Sequence, residues 1–228
     1  MATASGTAIG VSVERVDGFD GAVAIDVEGL PAGYSVSKPV TIEAGHDNAR
    51  MTLFAAADAK PATAEAWGKV KVSARAVVAG QDVVKPLDGI KSVALEEKPK
   101  LLVSLEPAEL TISPGSTVRV KLKLVRNGFD ERVAFDVANL PHGVIVDNIG
   151  LNGILIPEKQ TEREIFLRCD AWVPETTRAC FAETKTPCAG GGKVQFEASA
   201  PVVLHVRKPS PLAKAEMSAP QPPAAATK

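Results

Sequence analysis

The chain carries one stretch of about twenty residues twice, and this internal repeat constrains its fold more than any other feature. Residues 18–36 read GFDGAVAIDVEGLPAGYSV, and residues 128–146 read GFDERVAFDVANLPHGVIV. The two stretches align without a gap at a constant spacing of 110 residues. That spacing is much longer than a solenoid repeat and matches the size of one small β-sandwich domain. The sequence therefore predicts two domains of the same build.

Within the repeated stretch, apolar residues alternate with small or polar ones. Val23, Ile25 and Val27 fall on one face of an extended strand, and the second copy repeats this pattern from Val133 to Val137. The Leu-Pro-x-Gly that follows is typical of a turn, because proline presets φ and glycine permits a positive φ. Short strands separated by turns, without sustained helical periodicity, predict an all-β protein. Downstream, we extend the repeat by pairing residues 51–58 with residues 163–170.

These patterns predict two tandem immunoglobulin-like β-sandwiches, at residues 1–97 and 98–208. The boundary, EEKPK at 96–100, is short and charged and contains a proline, which favours a semi-rigid joint. Residues 209–228 are rich in proline and alanine and have few large apolar side chains. Such a segment cannot offset its ordering entropy, so we expect a disordered C-terminal tail.

The two copies differ at their front ends. The second copy is preceded by strand-like residues 101–105 and 110–112 with Pro107 between them, which predicts an opening strand split at the proline. The first copy has only a short stretch before its first strand, so we expect its opening strand to be missing. The start at Met1 lacks the features of a signal peptide, and we interpret it as the start of a fragment. An open sheet edge in the first domain would be prone to strand addition.

Composition argues against several classes of function. The net charge is −1, with 26 basic and 27 acidic residues, and aromatic residues make up 4% of the chain. We therefore expect no nucleic-acid partner, which would require a basic surface. No apolar run reaches the roughly 20 residues of a transmembrane segment. The basic residues Arg119, Lys121 and Lys123 lie on one face of a strand, where pairing with acids such as Glu164 is favoured over binding an acidic polymer.

The residue patterns of metal and catalytic sites are not found in the sequence. The aspartates near Asp20 and Asp130 lack the spacing of a calcium loop and are expected to cap turns or lie on polar strand faces. His46, His142 and His205 are far apart, without metal-ligand spacing. No nucleophile elbow or phosphate-binding loop occurs. We therefore predict no catalytic, cofactor or metal site, and a protein that is not an enzyme.

Three cysteines lie in the second half, at Cys169, Cys180 and Cys188. Cys180 and Cys188 flank a short polar loop, and a disulfide across such a loop is geometrically feasible. The alternative is three reduced thiols, with Cys169 a small core residue. Two tryptophans, Trp67 and Trp172, are candidate ligand contacts, and the alternative is that they pack at the ends of the sandwiches.

The first copy, VERVDGFDGAVAIDVEGLPAGYSV, followed by IEAG at 42–45 and LFAAADA at 53–59, resembles the immunoglobulin-like sandwich repeats of large bacterial secreted and surface proteins. These are related to the domain that accompanies alpha-galactosidases and other hydrolases. The resemblance covers residues 8–95 and 101–207. The second copy departs from the pattern at Glu131 and Asn139. The resemblance implies an accessory, spacer or adhesive role outside the cytoplasm and supplies no binding residues.

We therefore expect a non-catalytic structural or interaction module, a spacer, adhesion or docking unit of a larger extracytoplasmic bacterial protein. Its partners would be other domains of the parent protein or another protein. The alternative is a carbohydrate-binding accessory module of a secreted hydrolase. This module would use the ring of Trp67 or Trp172 at the end of a sandwich.

Overall fold

The computed structural model describes residues 1–95, 99–147, 149, 153–185 and 196–209. Within these ranges the chain forms sixteen strands and one short helix. The prediction of an all-β protein built as two tandem sandwiches is confirmed. The predicted joint at 96–98 and residues 210–228 of the predicted tail lie outside the described residues.

The first sandwich is built from residues 5–87. Its first sheet has the order β1 (Ser5–Ser12), β5 (Asn48–Ala55), β3 (Tyr34–Val36). Its second sheet has the order β4 (Val40–Ile42), β2 (Val23–Glu28), β6 (Lys71–Val78), β7 (Gln81–Leu87). A short helix, α1 (Ala64–Gly68), connects β5 to β6, and the Thr63 hydroxyl caps it by accepting the Ala66 N–H.

The second sandwich has two larger sheets. One has the order β12 (Val144–Asp147), β14 (Glu162–Cys169), β10 (Thr117–Arg126), β8 (Leu101–Glu106). The other has the order β13 (Ile154–Ile156), β11 (Val133–Ala138), β15 (Thr176–Thr184), β16 (Val202–Val206), β9 (Glu109–Ile112). β8 and β9 are the opening strand, split at Pro107: β8 runs antiparallel to β10 in one sheet, and β9 runs parallel to β16 in the other.

Each sandwich buries its own core between its two sheets. In the first, alternation turns Val23, Ile25 and Val27 inward onto the facing strand β5. In the second, an aliphatic core is built from both sheets, including the split opening strand. The two clusters share no residue. Burial of alternating aliphatic side chains is therefore what stabilises each layer pair.

The strand registers show which residues of the two sandwiches correspond. Tyr34 lies opposite Ala55, and Val144 lies opposite Cys169. Ala55 therefore corresponds to Cys169, and the sequence pairing of residues 51–58 with 163–170 was wrong by two positions. A shift of two preserves the in–out alternation of a strand, so the hydrophobic pattern could not expose this error.

An arginine performs the same structural task in both sandwiches. Arg15 lies just after β1, and Arg126 is the last residue of the corresponding strand β10. Each guanidinium donates to backbone carbonyls of two loops at 2.6–3.0 Å. Three of these carbonyls occupy equivalent places, and they belong to Gly21, Glu43 and His46 for Arg15 and to Glu131, Pro157 and Gln160 for Arg126. The arginine thus fixes the β1–β2 loop to the β4–β5 turn, and likewise in the second domain.

Replacement of Arg15 by methionine should lower the free energy of unfolding of the first domain by about 2 kcal/mol, because charged hydrogen bonds to three carbonyls are lost. Urea denaturation of the Arg15→Met variant measures this loss. Arg75→Met, at an exposed position in β6, is the control and should leave stability within about 0.5 kcal/mol. Equal stability of both variants would contradict the role given to Arg15.

Candidate functional site

The two tryptophans occupy different environments. Trp67, in α1, is 1% exposed and packs edge-to-face on Tyr34, with ring centroids 5.0 Å apart. It is part of the first core, so its ring is not offered to a ligand at the surface. Trp172 follows β14 and is 58% exposed. Of the two, only Trp172 therefore has a ring that a ligand can reach.

The glycine of the Leu-Pro-x-Gly turn positions Trp172. Gly143 has φ +84°, and a Cβ added there would lie 2.6 Å from both the Trp172 ring and the Val173 side chain. In the first domain, Gly33 has φ +82° and lies under Ala59. Only glycine suits both the positive φ and the close approach, so the repeated motif serves packing of the following loop on the turn.

Two histidines join Trp172 at the junction between the domains. The His142 ring lies 5.1 Å from the Trp172 ring, and the His46 ring lies 4.8 Å from that of His142, both between centroids. His46 belongs to the turn between β4 and β5 of the first sandwich, and the other two rings belong to the second. Nothing in the sequence indicated that these three rings lie together, because only the docking of the two domains brings His46 next to His142.

An ion pair between the domains, with a buried arginine and a half-buried glutamate, lies beside the rings. The Arg178 side chain, in β15, is 6% exposed and forms an ion pair with Glu43 of the first sandwich at 2.7 Å. Arg178 also donates to the Thr41 carbonyl and to Asn139 Oδ1. The Glu43 carboxylate accepts the His142 backbone N–H at 3.2 Å. We call Glu43, His46, His142, Trp172 and Arg178 the junction cluster.

Other contacts extend the junction away from the cluster. Arg50 and Glu183 form an ion pair at 2.6 Å, and the backbones of Gly6 and Ala198 exchange two hydrogen bonds at 2.8 and 2.9 Å. A Cβ added at Gly6 would lie 2.5 Å from the Thr52 hydroxyl oxygen and 3.0 Å from the Ala198 carbonyl oxygen. The first sandwich therefore docks on the second through backbone pairing as well as through charges.

A polar depression of about 260 Å³ opens at the junction cluster. Its lining carries carboxylate, amide, imidazole and guanidinium groups, and comprises Glu43, His46, Asn48, Ala49, Arg50, Asn139, Leu140, His142 and Arg178. Trp172 does not line the depression itself, but its exposed ring lies 5.1 Å from the ring of His142, which does. This combination suits a ligand with a flat apolar face and many hydroxyl groups.

The basic residues of β10 are paired across the sheet, as expected for a solvated strand face. Arg119 lies 3.4 Å from Glu164, and Lys123 lies 2.7 Å from Glu106. The hydrogen bond with Glu106 raises the pKa of Lys123. At the second sheet, His205 Nε2 lies 3.0 Å from Glu109 Oε1, and its Nδ1 lies 3.0 Å from the Thr177 hydroxyl oxygen.

The cysteines of β14 and β15 face the second core. Cys180 is fully buried, its thiol donates to the Val202 carbonyl, and burial raises the pKa of this thiol to about 12. Burial also raises the pKa of the Cys169 thiol. Cys188 lies outside the described residues, so a Cys180–Cys188 disulfide stays a prediction.

Across the described ranges, no group of three or more His, Cys, Asp or Glu side chains is arranged to hold a metal ion. In the same ranges no helix has the length and apolar character needed to cross a membrane. No family model matches the chain, and no curated protein matches it.

We expect iodoacetamide, with a phosphine reductant present at pH 8, to leave Cys169 and Cys180 unmodified in the native protein. Both thiols are buried and their raised pKa values keep them protonated, whereas alkylation requires the thiolate. In guanidinium chloride both should react completely. Peptide mass spectrometry measures the two sites separately, and rapid native labelling of Cys180 would contradict its placement in the core.

Proposed function

We propose that this chain is a non-catalytic structural and interaction module, in which two sandwiches are held in one fixed orientation to space, present or dock other domains. The proposal includes an extracytoplasmic location in a larger bacterial protein, by its resemblance to repeats of secreted and surface proteins. Its partners would be other domains of that protein or a second protein.

The observation that carries the proposal is the burial of Arg178 between the domains. A guanidinium that is 6% exposed would be costly if its partners left, because it would be a buried charge without compensation. Its ion-pair partner Glu43 and its acceptor Thr41 belong to the other sandwich. Separation of the domains would also break the Gly6–Ala198 backbone pair. The two sandwiches therefore favour a single docked arrangement, as a spacer requires.

A second candidate function is carbohydrate binding, and the exposure of Trp172 favours it. The apolar face of a sugar ring stacks on an indole, and its hydroxyls need nearby donors and acceptors. The depression at the junction cluster, which is lined in part by Glu43, Asn139 and His142, supplies them. The ligand would then contact both domains, so the same docked arrangement serves either function.

The fixed orientation is tested by residual dipolar couplings measured for both domains. The wild-type domains should share one alignment tensor. Arg178→Glu should give two different tensors, because it places a second carboxylate against Glu43, and the double variant Arg178→Glu/Glu43→Arg should restore one tensor through the reversed pair. Arg119→Glu, on an exposed strand face, is the control for charge alone. Different tensors for the two wild-type domains would refute the spacer function.

The carbohydrate function is tested by screening the full chain on an array of neutral and acidic oligosaccharides, followed by titration with tryptophan fluorescence. A sugar bound at Trp172 should give a saturable change, and Trp172→Ala should weaken binding by about tenfold or more. Ile145→Ala, at an exposed strand position, is the matched control. The carbohydrate-binding function would be rejected if no sugar binds saturably, or if Trp172→Ala binds the sugar as tightly as the wild type.

A further inference from the structure

Corresponding strands of the two sandwiches differ in how well their inner faces are covered. By register, three aliphatic residues of the first sandwich occupy the places of three in β10, namely Ile9, Val11 and Val13 for Val120, Leu122 and Leu124. The β10 residues are 1%, 0% and 3% exposed. Their counterparts in the first sandwich are only half-buried. The same inner surface is therefore sealed in one domain and partly open in the other.

The split opening strand seals the second sandwich. β8 lies beside β10 along residues 121–126 and turns Leu101, Val103 and Leu105 into the core. β9 then crosses to the other sheet and adds Leu110 and Ile112. These five aliphatic side chains cover the face that is left half-buried in the first domain.

The described residues place no strand beside the corresponding edge of the first sandwich, residues 10–15. Near the start of β1, Gly6 directs its N–H and C=O outward to Ala198. By the alternation of an antiparallel strand, Gly10, Ser12 and Glu14 also direct their N–H and C=O outward. Small side chains at Gly10 and Ser12 leave these groups accessible, without the lysine or proline that often blocks an edge.

A groove of about 660 Å³ lies between the end of this edge, at Val13 and Glu14, and the β6–β7 hairpin, and residues 16–21 also line it. Apolar side chains from both sides line it, including Val13, Val16, Phe19, Val78 and Val83. Val16 is 59% exposed and Val78 is 38% exposed. An exposed apolar groove next to unpaired backbone groups has the chemistry of a strand-binding site.

We propose that this groove binds an extended strand of a partner polypeptide, which runs antiparallel to residues 10–15 and inserts alternating aliphatic side chains between the sheets. The proposal rests on the function as an interaction module and names its partner chemistry. The second sandwich supplies the template: residues 101–105 read LLVSL and pair antiparallel with β10 at the equivalent edge. Backbone hydrogen bonds supply affinity, and the aliphatic positions supply specificity.

The C-terminal sequence of this chain does not have the required pattern. Residues 209–228 read PSPLAKAEMSAPQPPAAATK, with five prolines and no alternating aliphatic run. Proline cannot donate to a strand ladder, and alanine fills little of an apolar groove. These features favour a strand from a partner over the tail of the same chain.

The test uses the full chain and a synthetic peptide with the sequence of residues 99–113, PKLLVSLEPAELTIS. Titration followed by amide NMR should give saturable shifts at residues 10–15 and in the β6–β7 hairpin. A control peptide carrying Leu101→Asp, Val103→Asp and Leu105→Asp should not bind, because it places charges in the groove. Saturable binding with shifts at these sites supports the proposal.

A substitution at the edge provides the second arm. Ser12→Pro removes one outward N–H and adds a ring that obstructs strand pairing, so it should weaken peptide binding by about tenfold or more. Ile145→Thr, on an edge strand of the second domain, is the matched control and should bind as the wild type does.

Three outcomes would overturn the proposal: no saturable binding at about 1 mM peptide, equal binding of the charged peptide, or shifts confined to other surfaces. The alignment tensors of the two domains test the spacer function independently of the peptide titration. If the peptide does not bind but the two domains share one alignment tensor, the strand-binding site is rejected and the function as a structural module still stands.

Discussion

Two stacked sheets must cover both inner faces with apolar side chains and pair or protect every edge, and the rest of this molecule depends on how each sandwich meets that requirement. The second sandwich meets it with β8 and β9, which carry five aliphatic side chains across the gap between its sheets. The first sandwich also packs two sheets around an aliphatic core, but its described residues include no counterpart of β8 and β9. Its inner face near Val11 and Val13 is only half-buried. Within the part of the chain that the structure describes, the same edge is therefore covered in one sandwich and uncovered in the other.

The junction between the sandwiches depends on a different balance. Burial of Arg178 removes its charge from water, and the attraction of the half-buried Glu43 offsets that cost only while the domains stay docked. The backbone pair between Gly6 and Ala198 adds a geometric constraint, since Gly6 has no room for a side chain. The docked arrangement also gathers His46, His142 and Trp172 into one row. A fixed orientation and a composite surface thus arise from the same contacts.

Much of the fold was predictable, because strand alternation and turn chemistry are local signals. The inward positions of Val23, Ile25 and Val27 and the split at Pro107 follow from residue patterns alone. The residue-by-residue correspondence between β5 and β14 was not predictable from such patterns, because a shift of two residues leaves the alternation of a strand unchanged. For the candidate site, the sequence did not distinguish Trp67 from Trp172 as a ligand contact, because the two are the same residue type.

Long-range packing determines whether such residues are buried or exposed. Trp67 is buried because α1 places it in the first core, whereas Trp172 follows a strand at the junction and is exposed. The pairing of Arg178 with Glu43 and the approach of His46 to His142 depend on domain docking, which no local pattern encodes. Local residue patterns therefore indicate the layers and the turns, whereas the site is assembled by long-range packing.

Native-state amide hydrogen exchange tests whether the same edge is open in the first sandwich and closed in the second. We expect fast exchange, near the rate of an unstructured peptide, for Gly10, Ser12 and Glu14. The corresponding Lys121, Lys123 and Val125, whose N–H groups face β8, should be protected by several orders of magnitude. Equal protection of the two sets would show that the edge of the first sandwich is not open.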